Sequence, residues 1–241
     1  MTRNEAIELV NKLSQLLKDN YVLPDIADQL NDHLALSVAK NSYDSIHTCE
    51  MFAQRLTEDV LSVCHDKHFK VILTETVAPP IERFRATNYG FEQVSHFPNK
   101  VSYLKLSRFC DPVFANDIAH NTMNMVADAE TLIIDIRDNG GGHPHMVQLL
   151  SSYFFDQQPV LLNKLSWRNT DKIDEYWTLP HAPRKRLPNI RLYVLTSERT
   201  LSAAEEFCYN LQALNRATLI GTNTGGAAHP CKIYELNKEL S

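Results

Sequence analysis

Glycine is scarce in this chain, with seven residues in 241. Cysteine offers no framework: Cys49, Cys64, Cys110, Cys208 and Cys231 are scattered, odd in number and lack a CxxC pair. That excludes a disulfide scaffold or a cysteine-based zinc module and points to reduced thiols. No apolar run approaches the ~20 residues needed to span a bilayer. Charge of one sign is also missing: 24 basic and 29 acidic residues leave a net −5, well mixed, without a nucleic-acid footprint. The N-terminus, Met1 to Ala6, is polar and acid-containing, so no signal peptide is visible and a cytoplasmic location is expected. Neither GxxxxGK[ST] nor GxGxxG after a strand is present, which weakens nucleotide readings, and GxSxG is absent, which excludes an ordinary α/β-hydrolase elbow. No metal and no cofactor is expected.

Six of the seven glycines fall in two clusters, Gly140–Gly142 and Gly221, Gly225 and Gly226. Glycine concentrated in this way marks backbone that takes unusual dihedrals or approaches something closely. With 44% hydrophobic residues the chain can bury a sizeable core, as one large domain or a medium and a small one.

Residues 1 to about 65 read as helices. Ala6, Leu9, Val10, Leu13, Leu16 and Leu17 recur near 3.6 residues, and the run ends before Pro24. A second helix starts at Asp25, Asn41–Asp44 is a turn, and a third helix covers about His47 to Val63. At Asp66–Leu73 the pattern changes to an expected strand with His68 at its entrance, followed by an irregular connection over 74–90 containing Pro79 and Pro80. Val101–Leu106 alternates as a strand and Pro112–Ala129 reads as a helix. Thr131–Arg137 is a compact apolar strand that runs into Asp138–Gly142, with a helix from His145 to Phe155. Residues 156–190 hold Trp167, Trp177 and the basic patch Arg184–Arg186, and read as irregular, with the patch a solvated face. Repeated strand–turn–helix units imply an α/β fold with ligands at the strand carboxyl ends.

The central stretch is Leu192 to Pro230. A strand at Leu192–Thr196 breaks at Ser197–Thr200, and Phe207, Leu211 and Leu214 then follow at helical spacing, which puts Ser202 at the turn-to-helix junction. Two readings of that hydroxyl stay open. Thr200 or Ser202 with a downstream glutamate resembles a capping box. The same place, over unpaired N–H groups and the positive helix end, suits a nucleophile. The glycine turn Asn139–Gly142 is likewise either a phosphate cradle or an oxyanion hole, and a further strand at Arg216–Ile220 ends at the second cluster.

Thr131–Gly142 (TLIIDIRDNGGG), Tyr193–Phe207 (YVLTSERTLSAAEEF) and Arg216–Pro230 (RATLIGTNTGGAAHP) resemble the tail-specific (C-terminal processing) serine proteases. The branch most resembled is the one related to interphotoreceptor retinoid-binding protein, which YVLPD at Tyr21–Asp25 and DKH at Asp66–His68 also fit. The resemblance implies a crotonase/Clp-like ββα core over 67–241 and a helical N-terminal domain over 1–66. It places the nucleophile at Ser202, the general base at His68, and the oxyanion-hole amides at Gly141, Gly142 and Gly226. The family's alternative lysine base falls at Ala227 here, and Lys232 is wrongly spaced. Relatives continue past this point with a segment carrying a glutamate, so with its end at Ser241 the chain is expected to be a shortened relative or to take that part from a partner, with self-association into a homo-oligomer.

The implied function is a serine-type peptidase or amide hydrolase acting on peptides or proteins. Set against it are a catalytically degenerate module of the same fold that binds an apolar ligand or peptide, and an acyl-thioester enzyme of the wider crotonase architecture. The SAAEE helix start argues against the last.

Overall fold

The structure, a computed structural model, describes residues 1–74, 81–168, 170–180, 185–227 and 229–241, and of Ile81 the backbone alone. Pro79, Pro80 and Arg184, named in the sequence reading, lie outside the described residues. Internal contacts divide the chain into two units, Met1–Pro79 with His229–Ser241, and Pro80–Ala228.

In the first unit, the apolar spacing produces α1 (Arg3–Asn20), α2 (Pro24–Ala39) and α3 (Cys49–Cys64). Thr2 caps α1 reciprocally: its hydroxyl accepts from Glu5 N–H at 3.3 Å, and the Glu5 carboxylate accepts from Thr2 N–H at 2.6 Å. Thr48 caps α3 from extended backbone (φ −117°), and His65, at φ 53°, ends it. The inward stripes, Val10 and Leu13 from α1, Leu30 and Leu34 from α2, and Phe52, Leu56 and Val60 from α3, form one core.

The strand expected over Asp66–Leu73 is not part of the main sheet. Residues 67 and 68 form a turn, and the extended piece after it meets residues 239–241 of the same chain. Ile72 and Ser241 exchange N–H···O bonds of 2.9 Å, and Thr74 N–H donates to Glu239 O at 2.8 Å. Leu73 and Leu240 make a single bridge. The alternation of Phe69, Val71 and Leu73 is therefore satisfied by the helical core. Leu236 and Leu240 enter that core too, and Lys12 Nζ holds the Leu236 carbonyl at 2.7 Å.

The second unit runs α4 (Ile81–Ala86), β1 (Phe91–Phe97), β2 (Val101–Leu106), α5 (Pro112–Met125), β3 (Thr131–Asp135), α6 (Pro144–Ser152), β4 (Leu161–Ser166), β5 (Ile173–Trp177), β6 (Arg191–Thr196), α7 (Ala203–Ala213) and β7 (Thr218–Gly221). Among the described residues the main sheet has the order β1-β2-β3-β6-β7. β1 pairs antiparallel with β2, whereas β2–β3, β3–β6 and β6–β7 are parallel. This is the expected α/β class in mixed form. β1 occupies a stretch to which the sequence pattern assigns no element, and the β4–β5 hairpin replaces part of 156–190, read as irregular. The hairpin carries charge on its faces, with Lys164 and Glu175 paired at 2.6 Å, so it lacks the apolar signature of a buried strand.

Leu132 and Ile134 of β3, Leu192 and Val194 of β6, Ala115, Ala119 and Met123 of α5, and Phe207 and Leu211 of α7 share one core. Phe207 packs its ring 5.3 Å from Phe109. Among the described residues no helix is long and apolar enough to cross a membrane.

Because Leu240 is fully buried among the N-terminal helices, Leu240→Ala should destabilise that unit by about 2–5 kcal/mol, read as a lower urea midpoint at unchanged slope.

Candidate active site around Ser202

Three loops at the carboxyl ends of adjacent parallel strands make this site: 138–142 after β3, 197–202 after β6 and 222–227 after β7. Parallel pairing in register puts those ends side by side, with Asp135 opposite Leu195 and Thr196 opposite Gly221.

Ser202 is the N-cap of α7, yet its backbone is at φ 58°, ψ −123°. Ordinary caps are extended, as Thr2 (φ −89°) and Thr48 (φ −117°) are in this same chain. A non-glycine residue held there costs on the order of 1–3 kcal/mol and persists only where its surroundings over-determine it. Those surroundings can be named. Thr200, fully buried, donates from Oγ1 to the Ile136 carbonyl at 2.9 Å and accepts from Ser197 N–H at 3.0 Å. Leu201 N–H donates to the Asn139 carbonyl at 3.0 Å. Arg199 Nε bonds Asp138 at 2.9 Å. The turn before Ser202 is thus stitched to the loop after β3.

Gly141 lies tight against Ser202. A Cβ there would lie 2.8 Å from both the Leu201 carbonyl oxygen and Ser202 Cβ, and the backbone sits at φ +98°. The fully buried Asn139 holds this loop, donating from Nδ2 to the Leu106 carbonyl at 2.9 Å and accepting the Gly141 N–H on Oδ1 at 2.8 Å.

Glu205 anchors the other side. Its Oε2 accepts from Ser202 N–H at 2.8 Å and Ala227 N–H at 2.9 Å, and its Oε1 from Gly226 N–H and the Thr224 hydroxyl, each at 2.7 Å. Burial pushes its carboxyl up, but these donors outweigh that and hold it below the usual carboxylate range. Neighbouring Glu206 goes the other way, raised by burial, with Asn163 donating at 2.7 Å.

Of the glycines expected to supply oxyanion amides, Gly141 and Gly226 donate instead to Asn139 and Glu205. Gly142 differs. It bridges Phe109 through its neighbours, with Phe109 N–H bonding the Gly141 carbonyl and the Phe109 carbonyl accepting from His143 N–H, so the Gly142 N–H is directed away from that bridge. Glu205 was legible only as a capping partner, and Thr224 carried no signal.

His68 belongs to the other unit. Its side chain is 10% exposed, its N–H donates to Asp66 Oδ1 at 2.9 Å, and its ring Nδ1 stands 3.7 Å from the same oxygen. Asp66 Oδ2 lies 2.9 Å from His229 Nε2 and accepts from the Tyr21 hydroxyl at 3.2 Å. Burial and then the Asp66 charge push the Tyr21 phenol above its usual value. His229 was missed as a candidate, although the AAHP motif contains it.

Residues 100–241 match the profile of peptidase family S41, and residues 1–102 match the N-terminal domain of peptidase S41 in eukaryotic IRBP. A candidate S41 protease from Bacteroides fragilis is similar at 25% identity and TM-score 0.51, over 57% of this chain and 39% of that one. A candidate peptidase from Parabacteroides merdae matches at 18% identity and TM-score 0.62, over 95% of this chain and 78% of that one. A lipoprotein from Streptococcus agalactiae matches at 13% and 0.59, over 99% and 82%. The chain therefore spans well under two thirds of the first of these proteins. The likenesses show a shared fold.

Gly141→Ala meets backbone at 2.8 Å on top of its positive φ, whereas Gly226→Ala, at φ +80°, meets open space. The first should cost about 2–4 kcal/mol and the second about 1 kcal/mol in denaturant unfolding. Because the Glu205 carboxyl is lowered in the fold, its stabilisation is complete above the unfolded carboxylate pKa and drains away as pH falls through the depressed folded value. Glu205→Gln should flatten that part of the acid limb of a stability–pH curve and lower stability at neutral pH.

Proposed function

The chain belongs to peptidase family S41, and on that premise we propose that it is a serine-type peptidase or amide hydrolase with Ser202 as nucleophile and His68 as general base. The observation that carries this is the Ser202 backbone, φ 58° and ψ −123°, at a strand-to-helix turn that glycine lets a second loop approach. A sharp, strained strand-to-helix turn of this kind is the setting of a nucleophile elbow, and here the Glu205 carboxylate caps the Ser202 N–H from within the helix.

In the proposed reaction the Ser202 oxygen attacks the scissile carbonyl carbon while the His68 imidazole takes the hydroxyl proton. The carbonyl oxygen becomes an oxyanion, and the imidazolium returns the proton to the leaving amine. Water then repeats the sequence on the acyl-enzyme, releasing the acid and restoring Ser202. Histidine as a residue type can both accept and return a proton, which suits it to both halves. The Asp66 carboxylate stands 3.7 Å from His68 Nδ1.

We assign the oxyanion to Gly142 N–H together with Ala203 N–H, the amide following the nucleophile and the first of α7, which has no intrahelical acceptor. Gly141 and Gly226, expected as donors, become positioning elements in this reading, since their amides hold Asn139 and Glu205. Peptides or proteins are the proposed substrates.

A binding-only module is the second reading. Ala227, where the resemblance puts a lysine base, is buried and uses its N–H on Glu205, so that position supplies no side-chain base.

A fluorophosphonate probe should label the wild-type protein and not Ser202→Ala, and His68→Gln should slow labelling by about 10²–10⁴-fold. An unlabelled wild type would leave the binding reading. Self-association is proposed with it, because Val113 and Phe114 stand exposed side by side at the start of α5. Light scattering should give more than the monomer mass, and a clean monomer refutes it.

A further inference from the structure

We propose that Asp66, His68 and His229 form a binding site for a divalent cation of the zinc type. All three belong to the helical unit, and the inference does not rest on the peptidase reading. One donor atom from each lies within 4.8 Å of the others. Zinc bonds of about 2.0–2.2 Å in tetrahedral geometry put ligand atoms ~3.3–3.6 Å apart. The spacing of His68 Nδ1 from Asp66 Oδ1 is 3.7 Å, and that of His229 Nε2 from Asp66 Oδ2 is 2.9 Å.

The orientation of the rings carries the inference further. His229 Nδ1 faces the Pro230 carbonyl at 3.3 Å. Nε2 stands 2.9 Å from Asp66 Oδ2. A cation that takes the place of the Nε2 proton leaves Nδ1–H to donate to the carbonyl, and a ligating histidine in proteins has this arrangement, one nitrogen on a carbonyl and the other on the metal. The carboxylate is supported in the same fashion: Tyr21 donates to Oδ2 at 3.2 Å and the His68 backbone to Oδ1 at 2.9 Å. The two ring centroids stand 5.0 Å apart with 61° between their planes.

The Asp66 and His68 side chains are 7% and 10% exposed, and His229 is 28% exposed. The carboxylate is thus withdrawn from bulk water, while the His229 side admits an ion and a fourth, solvent ligand. Two imidazoles and one carboxylate form a borderline donor set that suits Zn(II), Co(II) or Ni(II) over Mg(II) or Ca(II), which prefer oxygen ligands. A bound cation adds positive charge beside His68 and lowers its basicity, so loading the site should also slow any reaction that uses this ring as a base.

The test uses the full chain, stripped with a chelator and titrated with Co(II) under visible absorption, with Zn(II) competition by calorimetry. The proposal expects one equivalent of Co(II) with intense four-coordinate d–d bands, displaced by Zn(II) and insensitive to excess Mg(II). His229→Ala and Asp66→Asn should abolish the bands, and Tyr21→Phe, which keeps all ligands, should weaken binding about 10–100-fold. Ser202→Ala should bind Co(II) like the wild type, so failure of the hydrolase reading and failure of this one are separately visible. Far-UV circular dichroism establishes that each variant is folded, and Tyr21→Phe decides the matter if a ligand variant is not. Absent d–d bands, or stoichiometric binding unchanged in His229→Ala or Tyr21→Phe, would overturn the site.

Discussion

The carboxylate of Glu205 is the constraint on which the Ser202 site depends. It sits one helical turn into α7, 8% exposed, and gathers donors from two separate loops: the amide of Ser202 on one side, and Thr224, Gly226 and Ala227 on the other. A buried carboxylate is expensive unless each lone-pair direction is used. Here the donors are backbone groups that would otherwise be unpaired at a helix start and a glycine turn. The cost of burying the charge and the cost of orphaned amides offset one another. The result is a rigid junction that holds Ser202 in a backbone region it would not choose.

Asn139 does the matching work on the opposite loop. It links β2, the glycine turn and the segment before Ser202 with its side chain and its own carbonyl. These two buried polar side chains explain why glycine is placed where it is. With Asn139 and Glu205 already fixing the loops, Gly141 is needed so that backbone can press against Ser202. Spent amides and available amides are then sorted by direction: Gly141 and Gly226 face inward to side chains, and Gly142 faces away from its bridge. Electrostatic stabilisation of an oxyanion depends on such preorganised donors, and their number matters less than their aim.

The helical unit is organised by different means. Capped amphipathic helices supply the core, and Leu236 and Leu240 complete it. Asp66 is its polar counterpart, a nearly buried carboxylate shared by Tyr21, the His68 backbone and His229. Serving several donors at once rigidifies such a group, and the same property suits it to a cation.

Much of this was legible in the residues themselves. Period 3.6 in α1 to α3 and compact apolar runs in β3 and β6 reflect burial on one face or both, and burial leaves its mark on local composition. So did the placement of Ser202 between a strand and a helix, and the concentration of glycine beside it. Tertiary structure alone decided the rest. Asp66–Leu73 alternates like a sheet strand but pairs with residues 239–241, because alternation specifies a half-buried extended chain and not its partner. β1 and the β4–β5 hairpin carry weak patterns, since pairing at an edge asks little of side chains. The positive φ of Ser202, the direction of each glycine amide and the meeting of His229 with Asp66 are set by contacts between residues far apart in the chain. Spacing along one strand or helix cannot encode them.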